Sequence, residues 1–348
     1  MTEPRLHMEI AQQPVVLQGL LNEGRSAIER LAREIKQRGI AHVLIAARGT
    51  SDNAGVYAKY LLSTATELAV GLAAPSLYTL YNRPPRLTRD TLVLGISQSG
   101  MSPDIVAVLQ NAREQGIYTA AMVNNTASRM AEAAECVVPL AAGEERAVAA
   151  TKSYTAQLMA VAMLAAALSE EERWWQELEL VPQAVRAALD LEQVLARRTE
   201  RYRFMDQCVT VSRGYNYATA LESALKIKEL THTSVTGYSA ADFLHGPISI
   251  VRNGYPVMTI ACQGPTMDSL RQLIGRLGEA GAEQIIVTDD ADTAAPAELK
   301  LVLPVAVPEW LSPIPAIIPA QLLGYHLALA HGLDPDNPKG LDKVTETR

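Results

Sequence analysis

The chain has 348 residues, of which 48% are hydrophobic and 20% charged, and its formal net charge is −7. This length suits two domains rather than one core, and the charged fraction excludes general disorder. The negative charge makes nucleic acid and anionic membranes poor partners, so we expect neither. The three cysteines are far apart in the sequence, which is typical of a reduced cytoplasmic protein without a metal site.

The N-terminal segment 1–38 is predicted to be helical because apolar residues recur at helical spacing among charges. A buried strand is predicted at Ala41–Ala47, followed by the polar run Arg48–Asp52 and a helix from about Asn53 to Leu62. The N-terminus has no signal-peptide pattern. The longest apolar run, Leu158–Leu168, is too short to cross a bilayer and predicts a buried helix.

A second strand and helix enclose the most informative stretch of the sequence. Thr91–Ile96 is a short β-branched apolar run, and Pro103–Gly116 has the spacing of a helix with one inward face. The polar or small residues between them are Ser97, Gln98, Ser99, Gly100 and Ser102. Hydroxyls, free N–H groups and a helix N-terminus are what a phosphate group requires. The alternative is an ordinary polar turn.

The second half of the chain repeats the first. Arg48-Gly49 matches Arg213-Gly214, and the other shared residues are Gln98 with Gln263, Gly116 with Gly281 and Pro139 with Pro304. One offset of 165 residues relates all of these pairs. A single offset over about ninety residues indicates a duplicated unit.

Strands that alternate with helices predict an α/β fold of two units, each a parallel sheet with helices on both faces. The predicted segments are the helical segment 1–38, a first domain 39–170, a connecting helix 171–201, a second domain 202–333 and a tail 334–348. Ligands in such sheets bind beyond the carboxyl ends of the strands, where both Arg48–Asp52 and Ser97–Ser102 fall.

The two halves differ in their candidate chemistry. The second-half counterpart of the serine loop, Cys262–Pro265, has fewer hydroxyls and a proline that removes an N–H, so phosphate binding is assigned to the first half. One face of a predicted helix carries Glu222, Lys226 and Glu229. These residues are interpreted either as a catalytic group or as a solvated ion pair. His245 lies in an apolar segment, where a structural role is the usual alternative to catalysis.

An ordered set of motifs covers the chain from Ala47 to its end. They are ARGTSDN (47–53), SQSGMS (97–102), VAATK (148–152), ALESALKIKE (220–229), HGP (245–247) and DNPKGLDKV (336–344). With this set the chain resembles the sugar isomerase (SIS) family in its tandem form, as in the isomerase half of glucosamine-6-phosphate synthase. The resemblance implies two flavodoxin-like units and a homodimer with active sites completed across the subunit interface.

The resemblance also implies roles for individual residues. Thr50, Ser51, Ser97, Gln98, Ser99 and Ser102 would bind the sugar phosphate, and Val148 and Ala150 would line the sugar. Glu229 corresponds to the base that moves a proton between C1 and C2, with Lys226 as its charged neighbour. His245 matches the histidine that opens the sugar ring and is expected to come from the partner subunit, and Lys343 matches the tail lysine that reaches the open-chain carbonyl. No cofactor or metal is implied.

Departures from the synthase decide between related reactions. The synthase has a cysteine where this chain has Arg48, a serine at Ala150, a lysine at Leu244, and a cysteine nucleophile at residue 2, where this chain has Thr2. We therefore do not expect ammonia release from glutamine by that route, and the sequence around Arg48 and Gly143–Arg146 resembles the stand-alone SIS-type glucosamine-6-phosphate deaminases.

The leading hypothesis is therefore an enzyme that converts glucosamine 6-phosphate to fructose 6-phosphate and ammonia. Three alternatives remain at this point. They are a deglycase or isomerase on another aminated hexose phosphate, a glutamine-independent aminotransferase-type isomerase, and a sugar-phosphate-sensing SIS module. A sensor usually carries a DNA-binding segment, and no basic helix-turn-helix pattern is found before the first strand.

Overall fold

The structure is a computed structural model, and it describes residues 3–343. The chain clusters into two compact units. The first-sheet unit comprises Val15–Glu145, Lys152–Glu179 and the tail from Asp342. The second-sheet unit comprises the chain up to Pro14, Arg146–Thr151 and Leu180–Leu341. The predicted domain boundaries stay a prediction, and the loop at 146–151 clusters with the second sheet although it lies inside the predicted first domain.

The first-sheet unit contains five parallel strands in the order β2-β1-β3-β4-β5. The strands are β1 (His42–Ala46), β2 (Ala69–Leu72), β3 (Thr91–Ser97), β4 (Tyr118–Val123) and β5 (Cys136–Pro139). The helices are α1 (Arg5–Gln37, which begins in the other unit), α2 (Thr50–Ala65), α3 (Ser76–Thr79), α4 (Pro103–Glu114), α5 (Arg129–Ala133), α6 (Lys152–Ser169) and α7 (Glu172–Leu178). Every residue of the central strand β3 is buried, because helices cover both faces of the sheet.

The second-sheet unit repeats this arrangement with five parallel strands in the order β10-β9-β8-β6-β7. Its strands are β6 (Gln207–Ser212), β7 (Ser234–Ser239), β8 (Pro256–Ala261), β9 (Glu283–Thr288) and β10 (Leu299–Val302). Its helices are α8 (Val181–Leu189), α9 (Glu192–Arg198), α10 (Tyr217–Thr231), α11 (Ala240–Leu244), α12 (Met267–Glu279), α13 (Ala291–Ala294), α14 (Pro313–Ala316) and α15 (Ile318–Ala330). Short 3₁₀ turns lie at Thr199–Tyr202, Gly214–Asn216, Pro247–Ile250 and Glu309–Leu311.

The predicted α/β class and the duplication are both confirmed. The first four strands of each unit begin 165 residues apart, and the glycines at 49, 116, 214 and 281 all have positive φ. The same conformation in both halves favours glycine, which carries no Cβ. The prediction that Pro139 and Pro304 occupy equivalent positions was wrong, because Pro139 is the last residue of β5 whereas Pro304 lies two residues beyond the end of β10.

Two other predictions need correction. Helix α2 begins at Thr50 rather than Asn53, because Gly49 at the N-cap turns the chain with a φ of 53°. The segment 171–201 is not one helix but α7, α8, α9 and the start of a 3₁₀ turn. Pro182 stands in the first turn of α8 and has no N–H, so it cannot donate the helical hydrogen bond to the carbonyl of Leu178, the last residue of α7, and α7 and α8 are separate helices.

The apolar helices of both units are core helices. The first fifteen residues of α6 are buried, as predicted for the run at Leu158–Leu168. One stretch, Pro313–Ala330, is long and apolar enough to cross a membrane by length and composition, but 83% of it is buried inside the protein. Burial of this kind is typical of a helix that is apolar all round and lies in a protein core.

Candidate active site

The loop from Ser97 to Ser102 leaves β3 and enters α4 at the carboxyl edge of the first sheet. Strand order reverses between β1 and β3, and this switch point is where ligands bind in such sheets. The hydroxyl oxygen of Ser97 accepts the N–H of Gly100 at 2.9 Å, and that of Ser99 accepts the N–H of Met101 at 3.3 Å. These two bonds do not use the hydrogens of either hydroxyl.

Ser102 occupies the N-cap position of α4, as predicted, but its side chain makes no capping hydrogen bond. Within residues 3–343 neither the hydroxyl nor the N–H of Ser102 donates a hydrogen bond, and the same holds for the N–H groups of Gln98. These donors lie at the positive end of a twelve-residue helix. Donors of this kind suit an anion, and we call this loop the phosphate cradle (Ser97–Ser102) after its predicted role, which stays a prediction.

Gly100 is required for this shape. Its φ is +65°, and a Cβ there would lie 2.1 Å from Oγ of Ser128 and 2.9 Å from a methyl group of Val123. Its carbonyl accepts the N–H of Met130 at 3.1 Å. Since no side chain fits at this position, the cradle rests directly on the neighbouring β4–α5 connection.

Arg48 brings positive charge to the same edge. Its Nε donates to the carboxylate of Asp104 at 2.8 Å, and the Asp104 side chain is only 1% exposed on the first turn of α4. Burial raises the pKa of nearby Asp52, and the Arg48 charge opposes that rise. The buried carboxylate of Asp104 thus holds the arginine beside the start of the helix that carries the phosphate cradle. Neither Asp104 nor this pairing was foreseen from the sequence.

Thr50 and Ser51, also predicted to bind substrate, open α2 behind Gly49. Ser51 is buried, and its hydroxyl accepts from the amide of Gln157 on α6 at 2.9 Å. This bond ties the two helices together. The predicted substrate role of Ser51 is untested, and its position gives it a packing role as well.

We predict that Ser99→Ala and Ser97→Ala each weaken sugar-phosphate binding by about 1.5–3 kcal/mol, because each removes a hydrogen bond to a charged group. Isothermal titration with a sugar phosphate measures the change. Gln263→Ala, in the exposed counterpart loop of the second sheet, is the matched control and is expected to leave the affinity unchanged. Unaltered affinity in both serine variants would exclude the phosphate cradle as the binding site.

In the second-sheet unit, α10 carries Glu222, Lys226 and Glu229 on one face, as predicted. Nζ of Lys226 lies 2.5 Å from Oε2 of Glu229 and 3.5 Å from Oε1 of Glu222. Glu222 and Lys226 are 0% and 1% exposed, whereas the Glu229 side chain is 21% exposed. The solvated ion-pair interpretation is therefore wrong for Glu222 and Lys226. Glu229 is the member of this group that solvent or a ligand can reach.

His245 lies at the C-cap of α11 and is exposed. Its Nδ1 lies 2.7 Å from the carbonyl oxygen of Ala241. A carbonyl oxygen only accepts, so Nδ1 carries the hydrogen and Nε2 of the neutral ring presents its lone pair outward. In the described part of the chain His245 makes no hydrogen bond with Glu229. The exposed position of the ring argues against the alternative of a buried structural histidine.

Val148 and Ala150 are half-buried and alternate with the buried residues Ala147 and Ala149. The loop that carries them is held by Glu9, a buried carboxylate on α1 that accepts the N–H groups of Arg146 at 2.6 Å and Ala147 at 3.2 Å. Sequence reasoning missed Glu9, since nothing local marks a glutamate in a helix as a partner of a loop far along the chain.

Lys343 is the last residue that the structure describes, so the remainder of the tail motif, Val344, lies outside the described residues, as does Thr2 at the other end. Nζ of Lys343 lies 3.3 Å from Oε2 of Glu145, which is buried and also accepts the N–H and hydroxyl of Ser153. The predicted tail lysine thus pairs with Glu145, and no local pattern in the sequence marks that carboxylate as its partner. In residues 3–343 no group of three or more His, Cys, Asp or Glu side chains is arranged to hold a metal ion.

Comparison with protein families matches the SIS domain twice, at residues 34–167 and 205–331. The chain belongs to the SIS domain family. The two matches coincide with the two sheets, so the SIS units predicted from the motifs are confirmed.

Curated relatives of this SIS chain include the isomerizing glutamine–fructose-6-phosphate aminotransferases of Thermus thermophilus and Thermococcus kodakarensis. The first is 33% identical over 351 residues and the second 33% over 344. Each alignment covers 96% of the chain but only 57% and 56% of the relative. The chain therefore spans a little over half the length of these relatives.

Among solved structures, a proposed phosphosugar isomerase from Silicibacter pomeroyi DSS-3 has a TM-score of 0.86 and 31% identity, covering 96% of this chain and 100% of its own. The C-terminal domain of glucosamine-fructose-6-phosphate aminotransferase from Francisella tularensis has a TM-score of 0.88 at 24% identity, covering 97% and 99%. Glucosamine-6-phosphate deaminase from Thermotoga maritima has a TM-score of 0.76 at 22% identity, covering 99% and 100%. The last two similarities show the fold alone.

Proposed function

We propose that this chain is a phosphosugar isomerase that acts as a deaminase, converting glucosamine 6-phosphate and water to fructose 6-phosphate and ammonia. The observation that carries the proposal is the buried Glu222–Lys226–Glu229 group, in which Glu229 alone is accessible. The names of the relatives, which include isomerizing aminotransferases of fructose 6-phosphate, support a sugar-phosphate substrate.

In the proposed reaction Glu229 moves a proton between C2 and C1 of the open-chain sugar. Loss of the C2 proton and protonation at C1 convert the aldehyde and C2 amine into a C1 alcohol and C2 imine. Water then hydrolyses the imine, which releases ammonia and leaves the C2 ketone. A carboxylate near the two carbons is suited to this transfer, and Nζ of Lys226 donates a hydrogen bond that orients it.

The other predicted residues take supporting roles in the proposal. His245 would open the sugar ring through its outward Nε2, since ring opening needs a group that can accept a proton and return it. The phosphate cradle would hold the phosphate, with Thr50 and Ser51 beside it and the chain at Val148 and Ala150 along the sugar. Lys343 would approach the open-chain carbonyl, for which it must exchange its contact with Glu145.

The direct test is to incubate the protein with glucosamine 6-phosphate and to measure fructose 6-phosphate and free ammonia in equal amounts. Fructose 6-phosphate with added ammonia is the reverse assay. Turnover in the reverse direction alone favours the aminotransferase-type isomerase. Turnover of another aminated hexose phosphate but not glucosamine 6-phosphate favours a deglycase or a different isomerase. Binding of sugar phosphates without turnover of any of them favours a sensor and contradicts the proposal.

We also propose that the chain forms a homodimer with shared active sites, in which His245 serves the partner subunit. The exposure of His245 agrees with a ring that meets another chain. Mixing inactive Glu229→Gln chains with inactive His245→Ala chains is then expected to restore part of the activity, because one site of each heterodimer is intact. Mixing either variant with itself is the control. No recovery after verified subunit exchange would contradict shared sites.

A further inference from the structure

The second-sheet unit has its own loop at the position that corresponds to the phosphate cradle. Strands β3 and β8 begin 165 residues apart, and the segment Cys262–Thr266 joins β8 to the thirteen-residue helix α12. This loop also lies at a strand-order switch point, between β6 and β8. By its position, the loop Cys262–Thr266 is therefore the counterpart of the phosphate cradle, and we call it the second cradle.

A carboxylate of the chain itself occupies this second loop. Oε1 of Glu309 accepts the hydroxyl of Thr266 at 2.8 Å, and the Glu309 carboxylate also accepts a backbone hydrogen bond from Thr266, the N-cap residue of α12. A Cβ on Gly264 would lie 2.3 Å from Cδ and 2.5 Å from Oε2 of Glu309, so the carboxylate rests on the bare backbone of that glycine. On its other side, Oε1 lies 3.9 Å from where a Cβ of Gly214 would be.

Glu309 comes from outside the loop, in the 3₁₀ turn Glu309–Leu311 beyond β10. A second carboxylate, on Asp289 after β9, accepts the N–H of Gln263 at 2.8 Å. Two carboxylates of the chain thus accept hydrogen bonds from donors of this loop. In the phosphate cradle Gly100 faces Ser128, and no described carboxylate accepts from Ser97, Ser99 or Ser102.

We propose that Glu309 is a built-in anion ligand that closes the second cradle, so that each chain binds phosphate at the Ser97–Ser102 loop alone. The carboxylate supplies the negative charge that the N-terminus of α12 favours, and its side chain fills the space that a phosphate would take. The second-sheet unit has kept the backbone arrangement of an anion site, and the Glu309 carboxylate takes the place of an external anion. The inference concerns phosphate binding and does not depend on which reaction is catalysed.

The test removes the carboxylate and offers an external anion. The parent is the Ser97→Ala/Ser99→Ala double variant, in which phosphate binding at the phosphate cradle is removed. Glu309→Ala is then added to this parent. Burial raises the pKa of Glu309 and the Asp289 charge adds to the rise, so the measurements are made at about pH 8, where a carboxyl is ionised. The readout is the thermal unfolding midpoint with inorganic phosphate or acetate against chloride at equal ionic strength.

Glu309→Ala is expected to lower the unfolding midpoint, and phosphate or acetate is expected to raise it again by about 2–4 °C beyond the response of the parent. Glu309→Gln keeps the volume of the side chain and is expected to show no such rise. Asp268→Ala is the matched control, because this carboxylate lies in the first turn of the same helix but is 92% exposed and outside the cradle.

Two results would overturn the proposal. One is a Glu309→Ala protein that responds to phosphate no more than the parent and Asp268→Ala do. If Glu309→Ala does not fold in chloride, the refolding yield becomes the readout, and a yield that is the same with phosphate as with chloride would also overturn it. Titration with phosphate is expected to give one bound phosphate per chain for the natural protein and two for the single variant Glu309→Ala.

Discussion

Glu229→Gln is expected to lower the turnover of the sugar phosphate by about 10²–10⁴, the usual contribution of a positioned general base. The amide keeps the shape and most hydrogen bonds of the side chain but cannot take a proton. Substrate affinity is expected to change little, because the substitution removes an interaction of the transition state. The measurement combines the turnover rate with deuterium incorporation from solvent at C1 of fructose 6-phosphate, or at C2 of glucosamine 6-phosphate when the reverse reaction is followed.

Lys228→Gln is the matched control for this experiment. Lys228 is exposed on the same helix, so its substitution changes the charge of α10 without touching the buried group. We expect near-normal turnover and label exchange from this variant. Should Glu229→Gln also exchange label at the natural rate, Glu229 is only a charge partner of Lys226, and the proton carrier is another residue.

Lys226→Met is expected to lower the free energy of unfolding by about 3–5 kcal/mol. Lys226 is 1% exposed, and its ammonium lies between two carboxylates, of which Glu222 is fully buried. Methionine fills a similar volume but leaves these carboxylates without the cation between them, and burying uncompensated charge is costly. Urea denaturation followed by circular dichroism measures the loss.

The matched control is Lys228→Met, at the exposed neighbouring lysine, which is expected to change the unfolding free energy by less than about 0.5 kcal/mol. The double variant Glu222→Leu/Lys226→Met is expected to recover part of the loss, since replacing a buried pair by apolar residues is often neutral. A stability of Lys226→Met equal to that of the control would mean that the ion pairs contribute nothing to the folded state.

The sequence was sufficient for the architecture because the architecture depends on local pattern. Apolar strand runs, helical spacing and the single offset of 165 predicted two parallel sheets, and the first four strands of each unit follow that offset. The offset failed at Pro304, because β10 begins two residues before the position that the offset assigns to it. The segment 171–201 was misjudged because a helical composition does not reveal how Pro182 divides it.

The position of the donor-rich loop Ser97–Ser102 between β3 and α4 was also predictable, because its residues are consecutive and their chemistry is local. The carboxylates that complete each site were not. Asp104 holds Arg48 from 56 residues away, Glu9 holds the loop at 146–147 from the N-terminal helix, and Glu145 meets Lys343 from 198 residues away. Pairs of this kind depend on which elements become neighbours in the folded sheet.

By itself the sequence therefore determined the family, the two α/β units, the donor-rich loop and the shared helical face of Glu222, Lys226 and Glu229. Only the tertiary structure decided which of these charges are buried, and so that Glu229 is the accessible one. It also brought the carboxylate of Glu309 to Thr266 in the loop that corresponds to Ser97–Ser102 in the second sheet. The physical reason is that hydrogen-bonding patterns within a helix or loop are set by neighbours in the chain, whereas burial and ion pairing are set by neighbours in space.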